Sequence, residues 1–101
     1  DLLRTYISAG VPVTLTNAAG DSLLMLAAYH GHAGTVQALI ELGADVNTLN
    51  DRGQSPLAGA VFKGYADVVR TLLGAGADAD AGNPSARATA AYFQRADLLE
   101  S

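Results

Sequence analysis

The chain has 101 residues, half of them hydrophobic, enough for one domain with a modest core. Its formal charge is -4, and five of its 6 basic residues are arginines scattered at Arg4, Arg52, Arg70, Arg87 and Arg95, so nothing forms the row of cations that nucleic acid requires. The absence of cysteine excludes disulfides, thiolate catalysis and sulfur-ligated zinc, and no apolar run reaches the roughly 18 residues of a membrane span, so a soluble, cytoplasmic protein without membrane contact is expected.

In chain order, residues 1–16 read as the second half of a unit. Gly10 stands thirty-three positions before Gly43, and Asp1 to Arg4 parallels Asp67 to Arg70. Residues 17–49 and 50–82 are two full copies: Asn17 aligns with Asn50, Gly20 with Gly53, Ser22 with Ser55, Leu24 with Leu57, Gly31 with Gly64, and Gly43-Ala-Asp45 with Gly76-Ala-Asp78. Residues 83–101 are a truncated last unit in which the offset falls from thirty-three to thirty, since Ser85 matches Ser55 and Ala90 matches Ala60. Three residues are therefore missing from the loop before Ser85. The two ends fall at nearly the same phase, as in a segment cut from a longer array. A fixed period of this length is the signature of a stack of identical units, each unable to bury its apolar face alone.

Local chemistry predicts the content of one unit. Ser22, Ser55 and Ser85 each precede an apolar stretch and are expected N-caps, their oxygens accepting from amides of the first helical turn. Gly31 and Gly64 end that helix and start another, along which Val36, Leu39 and Ile40, or Val69, Leu72 and Leu73, recur at helical spacing until Gly43 or Gly76. The polar stretch from Ala44 through Gln54 is too rich in turn residues for a core strand and predicts a hairpin projecting sideways.

The stretch from Gly20 to His32 followed by Val36, Leu39, Ile40 and Gly43 to Asn47 resembles an ankyrin repeat, and so does Gly53 through Asp78. The fold class implied is an all-α repeat solenoid of stacked helix-turn-helix units with projecting β-hairpin loops. The departures from the family's pattern are specific. Its Thr-Pro-Leu-His is replaced by Ser22-Leu-Leu-Met25, Ser55-Pro-Leu-Ala58 and Ser85-Ala-Arg-Ala88, so the histidine that links neighbouring units is absent. Gly59 stands where Leu26 stands one unit earlier, and Gln94 replaces the family's glycine.

No catalytic, cofactor or metal site emerges. His30 and His32 flank a helix-ending glycine with no third ligand in support, and Ser22 is a helix cap, not a nucleophile beside His30. Gly74-Ala-Gly76 and Gly31 to Gly34 lack a P-loop lysine, and Asp78 with Asp80 reads as a solvated turn. The resemblance implies instead a non-enzymatic module that grips another protein on the side formed by the hairpin tips and first helices. The tip candidates are Thr16, Ala18, Ala19 and Asp21, then Leu49, Asp51, Arg52 and Gln54. On the first helices, Tyr29, Phe62 and Tyr92 each lie seven residues after a capping serine and are expected to form an aromatic ladder, with His30, Lys63 and Phe93 beside them. The alternative role is architectural: a monomer is expected, but Leu2, Leu3, Leu98 and Leu99 on the end faces would permit end-to-end association. Asn47 lies in a stretch similar to ankyrin segments modified by an asparaginyl hydroxylase, the competing role being to tie the hairpin together.

Overall fold

Seven to nine residues is too short for a helix to persist in water by itself, and every α-helix among the described residues falls in that range. The computed structural model describes residues 16–18 and 20–99. Within them the order is α1 (Leu23–Tyr29), α2 (Ala33–Glu41), α3 (Pro56–Lys63), α4 (Ala66–Gly74), α5 (Ala86–Tyr92) and a final 3-10 turn, η1 (Ala96–Leu99). Stability has to come from stacking. α1, α3 and α5 form one row, each touching the next, while α2, α4 and η1 form a second row behind it, and each first-row helix packs on its own second-row partner.

The core lies between the rows. Leu24 and Leu57 from the first row meet Val36, Leu39, Val68, Val69 and Leu72 from the second, all at 1% exposure or less. Burying each of these side chains stabilises the stack by about 1.5–3 kcal/mol before chain entropy is counted. At the position matching Leu24 and Leu57 the last unit carries Arg87, exposed and paired with Asp80 at 2.8 Å. Leu98 and Leu99 of η1 are half-buried against the core, whereas Leu2 and Leu3 lie outside the described residues.

The expected caps form. Ser22, Ser55 and Ser85 accept from the backbone N–H of Met25, Ala58 and Ala88 at 3.0–3.1 Å. Gly31 and Gly64 adopt φ of 77° and 78°, which an L side chain adopts at a cost, and the next unit closes over each. A Cβ would lie 3.2 Å from the Tyr65 ring at Gly31 and 3.5 Å from the Arg95 guanidinium at Gly64. Gln94, the third member of this set, has φ 56° and is exposed.

The projecting loops are tighter than full hairpins. Asn17 N–H donates to Asp21 O and Asn50 N–H to Gln54 O, both at 3.0 Å, but the described residues contain only isolated bridges, Thr16 with Ser22 and Gly82 with Ser85, and no strand. Those bridges also locate the deletion, since six positions separate the first pair and three the second. Lacking its own turn partner, Asn83 N–H donates to Gly53 O of the preceding finger at 2.9 Å.

Candidate functional site

Fingers and first-row helices together enclose a groove of about 740 Å3. Its floor is the row Met25, Ala58 and Ala88, the positions at which the repeat pattern would carry histidine. Replacing an imidazole by alanine twice over leaves the space open and apolar. The next row is Leu26, Gly59 and Thr89, with Gly59 forming a notch in the middle of it. Tyr29, Phe62 and Tyr92 make the third row, 39%, 45% and 81% exposed. Asp21, Asn50, Arg52, Gln54 and Pro84 form the finger wall.

The rings do not stand as three separate rungs. Each residue after a rung leans onto the ring of the preceding unit: Lys63 Nζ sits 4.7 Å from the Tyr29 centroid, and the Phe93 centroid lies 5.3 Å from that of Phe62, edge-on at 77°. Phe93 also contacts Tyr92 at 4.9 Å, so it fills the interval between two rungs. His30 has no earlier unit to reach among the described residues; it meets Tyr29 edge-on at 5.9 Å and His32 at 6.5 Å.

Of the residues expected to meet a partner, Tyr29, Arg52, Gln54, Phe62 and Tyr92 line the groove. His30, Leu49, Asp51 and Lys63 lie outside its lining. Lys63 is occupied by Tyr29. Leu49, 42% exposed, rests on the next finger, where a Cβ at Gly82 would come within 3.3 Å of its Cδ2. Asp51 stands over the preceding finger, its backbone nitrogen 2.9 Å from where a Gly20 Cβ would be. Thr16 and Ala18 are exposed, and Ala19 lies outside the described residues. Sequence reasoning missed the floor row, although the lost histidine was its signal. It also missed Asn50 as the organiser of the wall: Nδ2 donates to Asp21 Oδ1 at 2.8 Å and Gln54 Oε1 at 2.9 Å, while Oδ1 accepts from the backbone N–H of Arg52 and Gln54.

Groups that could carry other chemistry are engaged structurally. Ser22 is spent on its cap, and no cluster of three or more acidic or imidazole side chains among the described residues could hold a metal ion. Asp78 accepts from Asp80 N–H at 2.9 Å, and Asp80 in turn accepts from Arg87 Nε. That hydrogen bond, with the Asp80 charge behind it, raises the Arg87 pKa above its ordinary value. Asn47 Oδ1 accepts from Asp78 N–H at 2.8 Å, joining one unit to the next. No helix of the described residues is long and apolar enough to cross a membrane.

Two comparisons with known proteins agree with this architecture. An ankyrin repeat protein of Pseudomonas aeruginosa is 57% identical over 35 residues, covering 35% of this chain and 20% of that relative, so the chain spans about a fifth of its length. A family model described as ankyrin repeats, three copies, matches residues 1–83, which is most of the sequence: the chain belongs to the ankyrin repeat family.

Proposed function

We propose that the chain is a non-enzymatic binding module whose groove receives a partner protein. Ankyrin repeats are generally protein–protein interaction modules. The observation that carries the reading to this surface is the exposure of Tyr29, Phe62, Tyr92 and Phe93 along one groove above an apolar floor. Large rings left in water on one face are the residue type in which interfaces concentrate their energy. A cytoplasmic setting is consistent with the absence of cysteine.

The same surface chemistry favours a monomer over an end-to-end assembly. Continuing the stack past α5 would bury position 87, where leucine stands in both earlier units, and the Arg87–Asp80 pair there would have to be desolvated. Asn47 remains a candidate for hydroxylation, but its amide is held by Asp78 and the turn must open first. Incubation with the hydroxylase and no gain of one oxygen in mass removes that candidate.

Affinity capture with the chain, run in parallel with a Tyr29→Ala, Phe62→Ala, Tyr92→Ala variant, tests the main reading. Proteins retained by the first and lost by the second are expected. An identical set retained by both overturns the groove as the binding surface. Mass measured across a concentration range is expected to stay that of one chain; growth with concentration supports assembly instead.

A further inference from the structure

Two charged side chains line the groove, Asp21 and Arg52, and they differ in what they have left to offer. The Asp21 carboxylate is held on the finger wall by two side-chain amides, Oδ2 accepting from Asn17 Nδ2 at 3.2 Å and Oδ1 from Asn50 Nδ2 at 2.8 Å. Arg52 is exposed, and its guanidinium has no hydrogen-bond or ion-pair partner among the described residues; the backbone N–H of Arg52, not its side chain, is what Asn50 holds. The finger is thus fixed while its cation is open. Two of the four rings in the groove already have a cation of the chain over them, Tyr29 that of Lys63 at 4.7 Å and Phe93 that of Arg95 at 5.4 Å. Outside the groove lining the exposed acids Glu41, Asp45, Asp51, Asp67, Asp78, Asp80 and Asp97 outnumber the exposed cations Lys63, Arg70 and Arg87, whereas the lining holds one charge of each sign, so the groove is less negative than the rest of the described surface.

Shape adds a second element. Gly59 lies between Leu26 and Thr89 in its row, and a Cβ there would already stand 3.3 Å from Tyr29 Cδ1, so the notch exists because the side chain is missing. Its immediate neighbour is the Tyr29 ring, and the Phe62 ring lines the same groove.

Resting on the reading of the groove as a protein-binding surface, we infer that its occupant is a peptide segment carrying a bulky apolar side chain and a nearby carboxylate. The apolar group seats at Gly59 beside the Tyr29 and Phe62 rings, and the carboxylate pairs with Arg52, whose planar fork suits it. The ring contact supplies most of the affinity and the ion pair supplies the preference for acid.

The test is selection of a phage-displayed library of random short peptides on the chain, followed by fluorescence titration of the synthesised winners. Winners are expected to combine an aromatic residue or leucine with Asp or Glu. Their affinity should fall roughly tenfold with Arg52→Ala and return in Arg52→Glu when the peptide's acid is exchanged for lysine. Gly59→Leu should abolish binding although the helical circular dichroism is kept. Winners that need Phe62 but ignore Arg52→Ala, or that are basic, overturn the inferred chemistry and leave the groove standing. Winners indifferent to Tyr29→Ala and Phe62→Ala, or no winners at all, remove the groove reading and this inference with it.

Discussion

Arg95 Nη1 donates to the carbonyl oxygen of Val61 at 3.0 Å, and to that of Phe62, from the unit beyond. These carbonyls belong to the last turn of α3, where that of Val61 also accepts from the Gly64 cap N–H at 3.0 Å and where the helix dipole favours a cation. The same guanidinium lies over Phe93 and beside Gly64. One side chain therefore caps a helix and fixes the ring that touches Phe62.

Arg95→Ala is expected to lower stability by about 1–2 kcal/mol, the range for hydrogen bonds to a charged donor with the cap interaction included. Arg95→Lys should recover part of that, keeping the charge but not the fork. Urea denaturation followed by circular dichroism measures both, and a variant as stable as the parent would show that the contact contributes nothing.

Gln94→Gly should move stability the other way. An L residue at φ 56° carries about 1–2 kcal/mol of strain, and glycine's larger unfolded-state entropy takes back roughly half, leaving a gain of about 0.5–1 kcal/mol. The urea midpoint is expected to rise with an unchanged slope.

The contrast between Gln94 and Gly64 marks where sequence reading stopped. Left-handed helix ends, serine caps and the thirty-three-residue period are local properties, and each was legible from residue type and spacing alone. Arg95 could be counted as a scattered cation but not placed on the Val61 carbonyl, because that contact exists only when two units are stacked. Phe93 on Phe62 and Lys63 on Tyr29 depend on the same step between units. The groove floor was half legible: the missing histidine was visible at Met25, Ala58 and Ala88, but an absent side chain announces a space only once its walls are known. A polar loop with one leucine reads as a tip facing solvent, and only the stacking of units brings Leu49 and Asp51 close to a neighbouring finger.

Gly59 tests the balance between helix propensity and the groove. Gly59→Ala is expected to stabilise by about 1 kcal/mol, since the half-exposed Tyr29 ring can yield the few tenths of an ångström that a Cβ at 3.3 Å needs. Gly59→Leu adds apolar contact with the same ring and should be at least as stable. Thermal melting compares the two, and a loss of stability in Gly59→Ala would mean that Tyr29 is held rigidly.

Asn50→Ala removes four hydrogen bonds from one finger, two of them to side chains of the groove wall. The finger is partly solvated, so water replaces much of what is lost and the expected cost is about 1–2 kcal/mol. Hydrogen exchange should show the greater effect, with the amides of Arg52 and Gln54 losing protection while those of α4 keep theirs. Unchanged protection at Gln54 would place the finger's rigidity elsewhere.

The three ring substitutions separate interface from packing because the rings differ in how much the fold uses them. Tyr92 is 81% exposed, so Tyr92→Ala should leave stability within about 0.5 kcal/mol of the parent. Phe62→Ala forfeits a ring that is half-buried and in contact with Phe93, for an expected cost of about 1–1.5 kcal/mol. Tyr29→Ala loses similar area and the Lys63 contact, for about 1 kcal/mol. If the row is an interface, each substitution weakens binding per folded molecule by about 1 kcal/mol, roughly fivefold, whatever it does to folding. Tyr92 is the cleanest of the three, since its binding loss carries almost no folding term. Should Tyr92→Ala bind the captured partner as the parent does, while Phe62→Ala melts early and also binds normally once folded, the rings serve the stack and the partner lies on another face.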